Sequence, residues 1–252
     1  MTNDRINAEY IEKLLKVKAT LTIHGTTDST NLDLKELAKA GAETGTVVIA
    51  ENQKAGRGRL GRQFYSPSHS GIYMSLLIRP DEKTDTGLLT AYTAVAVCNA
   101  LEEVSGEKFG IKWVNDILKD GKKVCGILAE AGVENGKTEY IIVGIGINVY
   151  PPNEGFPEEI KNIAGSVFDS PADNARNEII AKIINNFFSY SKGFIEEYKR
   201  KSVVLGKEIS VHKRDSVKKA LALDIDENCN LLVKYENGET ENLSFGEISV
   251  RV

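Results

Sequence analysis

Two dipeptides, Asp120-Gly121 and Asn135-Gly136, limit how this chain can fold more than any other feature does. Each lies between apolar runs and supplies the residue pair that best tolerates positive φ at both centres of a two-residue turn, the tightest link between antiparallel strands. Residues 109–149 therefore read as an antiparallel meander, with Lys122 and Lys123 just ahead of the apolar strand VCGIL. Upstream, GIYMSLLIRP alternates Ile72, Met74, Leu76 and Ile78 with Tyr73, Ser75 and Arg79, the pattern of a half-buried strand. TLTIHG and TVVIAE supply shorter strands. Helical spacing predicts a first helix carrying Ile11, Leu14 and Leu15, and a second that starts at Asp28, Ser29 or Thr30 and stops at Gly41. A third runs from about Thr86 to Val104, and one long amphipathic helix covers 174–201 with Ile179, Ile183, Ile184, Phe187 and Phe188 on one side. From Leu205 onward the pattern changes to short strands broken by DENCN and by Asn237-Gly238, which predicts a small β-barrel. The expected division is 1–201 for a larger domain and 202–252 for the smaller one.

With 252 residues, 41% of them hydrophobic, the chain can build a sizeable core, which excludes a fully disordered protein. Its formal charge of −4 gives no global field to hold it on DNA or an anionic membrane, so any polyanion site must be local. Cys98, Cys125 and Cys229 are far apart, as are His24, His69 and His212, so neither a zinc site nor a disulfide framework is indicated. The first residues lack the apolar core of a signal peptide, and no apolar run reaches the ~20 residues needed to span a bilayer. A cytoplasmic, soluble protein is expected. The segment before the first strand is too short for a helix-turn-helix domain.

The loop AGRGRLGRQF is the strongest functional signal. From Asn52 to Pro80 there is no acidic residue, while Lys54, Arg57, Arg59, Arg62 and Arg79 are all cationic. Gly56, Gly58 and Gly61 let backbone N–H groups approach an anion, and arginine forks match carboxylate or phosphate oxygens. GxxxxGK[ST] is absent, so the loop is no P-loop, and aromatic residues come only at its end, unlike an RGG-type RNA binder. By itself the loop favours an anion site, with a solvated basic surface as the lesser alternative. Asp28-Ser29-Thr30-Asn31 serves a helix cap as well as a ligand, and Lys122-Lys123 serves a hairpin edge as well as a site. KWVND places Lys112, Asn115 and Asp116 on a strand expected to be half buried, where such groups are usually paired or functional. GIGIN at 144–148 fails as a dinucleotide fingerprint, because Val149 stands where the third glycine should be.

In their order and spacing, DSTN, QxAGRGRxGR, KWxND, KxxGIL, GIGIN and a terminal GEISVR make the chain resemble biotin protein ligases from about Thr22 to Arg251. The resemblance implies an α+β catalytic domain related to class II aminoacyl-tRNA synthetases, a mixed, mostly antiparallel sheet flanked by helices, with a C-terminal SH3-like barrel. It implies a single-function ligase without a DNA-binding domain. Such an enzyme uses ATP and Mg2+ to activate biotin as biotinyl-5′-adenylate, then biotinylates a lysine of a biotin carboxyl carrier protein. By the same resemblance Ser29, Thr30, Asn31 and Gln53 address the ureido ring, joined around biotin by Gly56, Arg57, Gly58, Arg59, Lys123 and Gly126. Arg57, Arg59, Arg62, Phe64, Lys112, Asn115 and Asn148 serve ATP; Arg57, Arg59, Lys123 and Asp116 are the catalytic candidates; Asn115 and Asp116 are candidate contacts for phosphate-bound Mg2+. The arginine loop is implied to close over the adenylate. Two positions depart from many bacterial relatives: Phe64 replaces a tryptophan that stacks on adenine, and Val114 replaces a proline. Short members of the family are often homodimers, but no interface is legible in these residues. A lipoate-type acyl ligase and a non-enzymatic RNA-binding protein are the rival readings; the loop speaks against the first, the net acidity and the Lys112/Asp116 pair against the second.

Overall fold

The computed structural model describes residues 4–81, 84–189, 193–213, 216–244 and 249–251. Among them, seven strands form one sheet in the order β1-β2-β3-β7-β6-β5-β4. These are β1 Thr20–His24, β2 Thr46–Ala50, β3 Gly71–Ile78, β4 Gly110–Lys112, β5 Asp116–Lys119, β6 Lys122–Glu134 and β7 Lys137–Asn148. β1 and β2 run parallel, and the remaining neighbours are antiparallel. The meander of residues 109–149 is present, and both predicted turns have the required backbone: Asp120 at φ 50 with Gly121 at 77, and Asn135 at φ 50 with Gly136 at 76.

Among the described residues, five α-helices flank the sheet: α1 Ala8–Leu14, α2 Thr30–Lys39, α3 Leu89–Ser105, α4 Ala175–Ser189 and α5 Phe194–Lys201. The expected single helix over 174–201 is thus two. Gly193, at φ 106, is the N-cap of α5, a left-handed conformation that a continuous helix does not accept. The third helix starts at Leu89, three residues after Thr86.

β3 differs from its expected half-burial, since all eight of its residues are buried. The cause is a layer on each face. Ile72, Met74, Leu76 and Ile78 join the main core with Ala94, Val97 and Leu101 of α3, whereas Leu77 joins Leu34 and Ala38 of α2 on the opposite face. A strand covered on both sides loses its solvent face, and the polar members of its alternation, Tyr73 and Ser75, become buried polar groups.

A second sheet has the order β11-β10-β9-β8-β12, from β8 Glu208–Lys213, β9 Ser216–Ile225, β10 Leu231–Tyr235, β11 Thr240–Leu243 and β12 Ser249–Arg251. All its pairings are antiparallel. Of the terminal GEISVR, only Ser249 to Arg251 lie within the described residues. The two sheets touch through the turn between β4 and β5: the Trp113 indole N–H donates to the Cys229 carbonyl at 2.9 Å, and the Tyr198 hydroxyl of α5 donates to the Val114 carbonyl at 3.1 Å. No helix among the described residues is long and apolar enough to cross a membrane.

Candidate active site

The site lies on the α2 face of the large sheet, where three glycines remove the side chains that would fill it. Gly126 of β6 is in register with Gly146 of β7, and Leu128 with Gly144. Gly144 in turn faces Ser75 of β3. A Cβ on Gly144 would collide with the Asn31 side chain, and one on Gly146 would come within 2.6 Å of the Phe64 ring. The glycines of GIGIN thus leave room for side chains and ligand above the sheet, which is a steric role and not a phosphate-binding turn.

Over this hollow stands the start of α2. Ser29 takes the N-cap position but makes no side-chain cap bond. The first helical N–H, that of Thr30, instead donates to Gln53 Oε1 at 2.9 Å. The Gln53 amide donates at 3.0 Å to the Ser66 hydroxyl, which donates to the Phe64 carbonyl at 2.9 Å. DSTN is therefore tied to both ends of the arginine loop. A cavity of about 40 Å³ remains among these groups, lined by Ser29, Thr30, Asn31, Gln53, Arg57, Phe64 and Asn115 with the glycine hollow below.

The loop itself is a miniature hairpin. The Phe64 N–H donates to the Gly56 carbonyl at 2.9 Å and the Gly58 N–H to the Arg62 carbonyl at 2.8 Å. Its tip turns through Leu60 at φ 56 and Gly61 at φ 72, with Leu60 exposed. Gly56 is buried, and a Cβ there would come within 2.7 Å of the Ser66 hydroxyl. Two arginines reach inward from this frame: Arg57 Nη2 lies 3.0 Å from Glu130 Oε1, and Arg59 Nη1 donates to Asn115 Oδ1 at 3.0 Å. Burial draws the Arg59 guanidinium below its ordinary value while the Asp116 carboxylate opposes the shift; it remains cationic. Arg62 and Lys54 are exposed at the rim.

KWVND does not lie along one strand. β4 ends at Lys112 and β5 begins at Asp116, so Trp113, Val114 and Asn115 form the connection, with a cis peptide between Trp113 and Val114. Trp113 and Val114 are buried in the core, and this directs Asn115 to the cleft. The Asn115 amide donates to the Ile127 carbonyl at 3.0 Å, which orients its oxygen toward Arg59. Lys112 pairs in register with Asp116. Lys123 Nζ is 2.6 Å from Asp116 Oδ1 and folds back over Gly126. Asn148, at the end of β7, donates to the Gly165 carbonyl at 3.1 Å and so secures the 164–165 segment beside Lys123.

Arg57, Arg59 and Lys123 are thus each matched to a carboxylate or amide oxygen, which sets a group of donors around the cleft. Two contributors escaped the sequence reading. Glu130 is an acidic residue inside the strand GILAEAG, and Ser75 is a hydroxyl inside an apolar strand; both were visible only as interruptions of hydrophobic runs.

Residues 24–148 match the Biotin/lipoate A/B protein ligase family, and residues 204–251 match the Biotin protein ligase C terminal domain. The Biotin--[acetyl-CoA-carboxylase] ligase of Mycobacterium tuberculosis is 31% identical over 239 residues, covering 88% of this chain and 85% of that protein. The Bifunctional ligase/repressor BirA of Bacillus subtilis is 45% identical over 148 residues, 58% of this chain and 46% of that protein. The chain therefore spans about half the length of the curated ligase/repressors it matches. The biotin protein ligase from Aquifex aeolicus, solved with biotin and ATP, superposes with a TM-score of 0.77 at 30% identity over 93% of this chain and 99% of that one. Since a relative above thirty percent identity is matched along most of both lengths, and the large sheet and C-terminal sheet are both reproduced, the chain belongs to the biotin protein ligase family.

Proposed function

We propose that the protein joins biotin to ATP as biotinyl-5′-adenylate and then transfers biotin to a lysine of a biotin carboxyl carrier protein. The observation that carries this reading is that Arg57 lines one glycine-floored cleft together with Thr30, Asn31 and Gln53, while Arg59 is held there by Asn115 and Lys123 folds over the floor glycine Gly126. A cleft that combines neutral polar groups with cations suits a molecule with an amide-like ring and a carboxylate tail.

A carboxylate does not acylate an amine directly, because oxide would have to leave. In the first step a biotin carboxylate oxygen attacks the α-phosphorus of ATP, and pyrophosphate departs. In the second, the carrier lysine amine attacks the acyl carbon, AMP departs, and the amine loses a proton. Negative charge collects on phosphate oxygens in both steps, and donors fixed beforehand around such charge are worth roughly 3–4 kcal/mol each. Arg57 and Arg59 supply forks from the hairpin, whose backbone bonds hold them in place. Lys123 supplies a compact cation from β6, positioned by Asp116. Phe64, over Gly146, offers a ring face for the base.

Magnesium enters with ATP as the phosphate complex. Among the described residues no three His, Cys, Asp or Glu side chains gather to hold a metal, and one oxygen of Asp116 and the Asn115 oxygen are engaged by Lys123 and Arg59. The same reading places the ligase body at 1–201, the C-terminal domain at 202–252, and the protein in the cytoplasm, where ATP and the carrier are found. The test is incubation with biotin, MgATP and a carrier domain, read by intact mass of the carrier. Addition of one biotin supports the reading; pyrophosphate exchange that depends on lipoate and not on biotin replaces it.

A further inference from the structure

Glu130 lies on β6, in register with Ile142, and its side chain is 30% exposed. Its two oxygens serve two different partners. Oε1 faces Arg57 Nη2 at 3.0 Å, and Oε2 accepts from the Asn31 amide at 2.6 Å. An ionised carboxylate can only accept, so Asn31 must turn its NH2 toward Glu130 and its oxygen away. That oxygen lies 2.6 Å from the Ser75 hydroxyl, which is buried and has one proton to give. With that proton on Asn31, the 2.8 Å contact between the Ser75 and Thr30 hydroxyls is bridged when the Thr30 proton turns to Ser75, the nearer of its two acceptors. Gln53 Oε1, farther from that hydroxyl at 3.2 Å, is served by the Thr30 N–H instead.

The result is a one-way chain, Thr30 to Ser75 to Asn31 to Glu130, with an anion at its end. Each bond polarises the next in a buried setting. The Thr30 hydroxyl, its proton committed inward, then presents only lone pairs to the cleft. We propose that Glu130 is a positioning residue that sets this polarity, making the pocket floor an acceptor for a ring N–H such as that of a cyclic urea, while it also holds Arg57 over the carboxylate end. This rests on the biotin reading above. With Gln at 130, the side chain can donate to Asn31, the amide can reverse, and Thr30 can turn its proton into the cleft against the ligand N–H.

Calorimetric titration with biotin and with biotinol, in which an alcohol replaces the carboxylate, separates the two roles. Arg57→Ala should weaken biotin while leaving biotinol near its wild-type affinity. Glu130→Gln should weaken both by about tenfold or more, the scale of a mispaired buried polar group. Ser75→Ala, which cuts the chain and leaves the Arg57–Glu130 pair intact, should also weaken both, and it serves if the Gln variant fails to fold. Loss of biotin affinity alone in Glu130→Gln, or wild-type biotinol affinity in Ser75→Ala, overturns the proposal. A wild-type protein that binds neither ligand overturns the functional reading first and this one with it.

Discussion

Arg176 of α4 is 2% exposed, and replacing it with methionine tests how the amino-terminal segment is fastened to the sheet. Its Nε donates to Asp4 Oδ2 at 3.0 Å, its Nη1 to Glu51 Oε2 at 2.6 Å, and its Nη2 to the Asp4 carbonyl. Breaking a buried ion pair by removing one partner typically costs about 3–5 kcal/mol, because the remaining charge is stranded. Asp4 keeps two donors in the variant, the Tyr150 hydroxyl at 2.6 Å and the residue-176 backbone N–H at 3.0 Å. Among the described residues, Glu51 keeps only the Ile6 N–H at 3.3 Å and the more distant His69 ring. The loss is therefore placed at the low end, about 3 kcal/mol, which for a chain of this size lowers the melting temperature by roughly 6–12 °C. Urea unfolding followed by circular dichroism at neutral pH measures it. The cause is stranded charge and not lost packing, so adding Asp4→Asn and Glu51→Gln to Arg176→Met should recover part of the loss. A cost under about 1 kcal/mol, or a triple variant less stable than the single one, refutes the reasoning.

Lys123→Ala should reduce adenylate formation about a hundredfold or more while changing stability by less than about 1 kcal/mol, since its pair with Asp116 is partly solvated; pyrophosphate exchange and a thermal melt on one preparation separate the two. Gly144→Ala drives a methyl into Asn31 and should abolish biotin binding at saturating MgATP, which equilibrium dialysis would detect. Burial pushes the Cys98 and Cys229 thiols up to about 12 and Cys125 well above its ordinary value. All three therefore stay protonated at about pH 8.5, where an ordinary thiol is half ionised. Iodoacetamide should leave the native protein unlabelled and modify three sites after denaturation, as read by mass.

The meander was legible because its turns are chemically singular: few residue pairs accept positive φ twice in succession, and both predicted ones do so. The arginine loop was legible for a similar reason, as glycine and arginine in alternation have few structural uses. What the sequence concealed is tertiary. β3 was expected to keep a wet face because Ser75 and Tyr73 alternate with apolar residues, yet α2 covers that face and turns Ser75 into a link between Thr30 and Asn31. KWVND reads as strand within the meander of 109–149, whereas the core captures the Trp113 and Val114 side chains at a turn between β4 and β5. Glu130 showed locally only as a break in an apolar run; its meaning lies in two partners, Arg57 and Asn31, both distant along the chain.

The bond from Trp113 to Cys229 gives the second sheet a part in holding the wall of the cleft. Trp113 is two residues from Asn115, and the carbonyl that fixes its indole belongs to the link between β9 and β10. Tyr198 grips Val114 from α5, and the Val203 N–H, on the way into the second sheet, binds the Ile111 carbonyl at 2.9 Å. The short β4–β5 connection is thus braced from behind at Ile111, Trp113 and Val114 while it faces the cleft through Asn115. Like a buttress that carries thrust from a wall it never meets inside, the carboxy-terminal sheet stiffens the backing of a site to which the cleft residues named above contribute no side chain of its own.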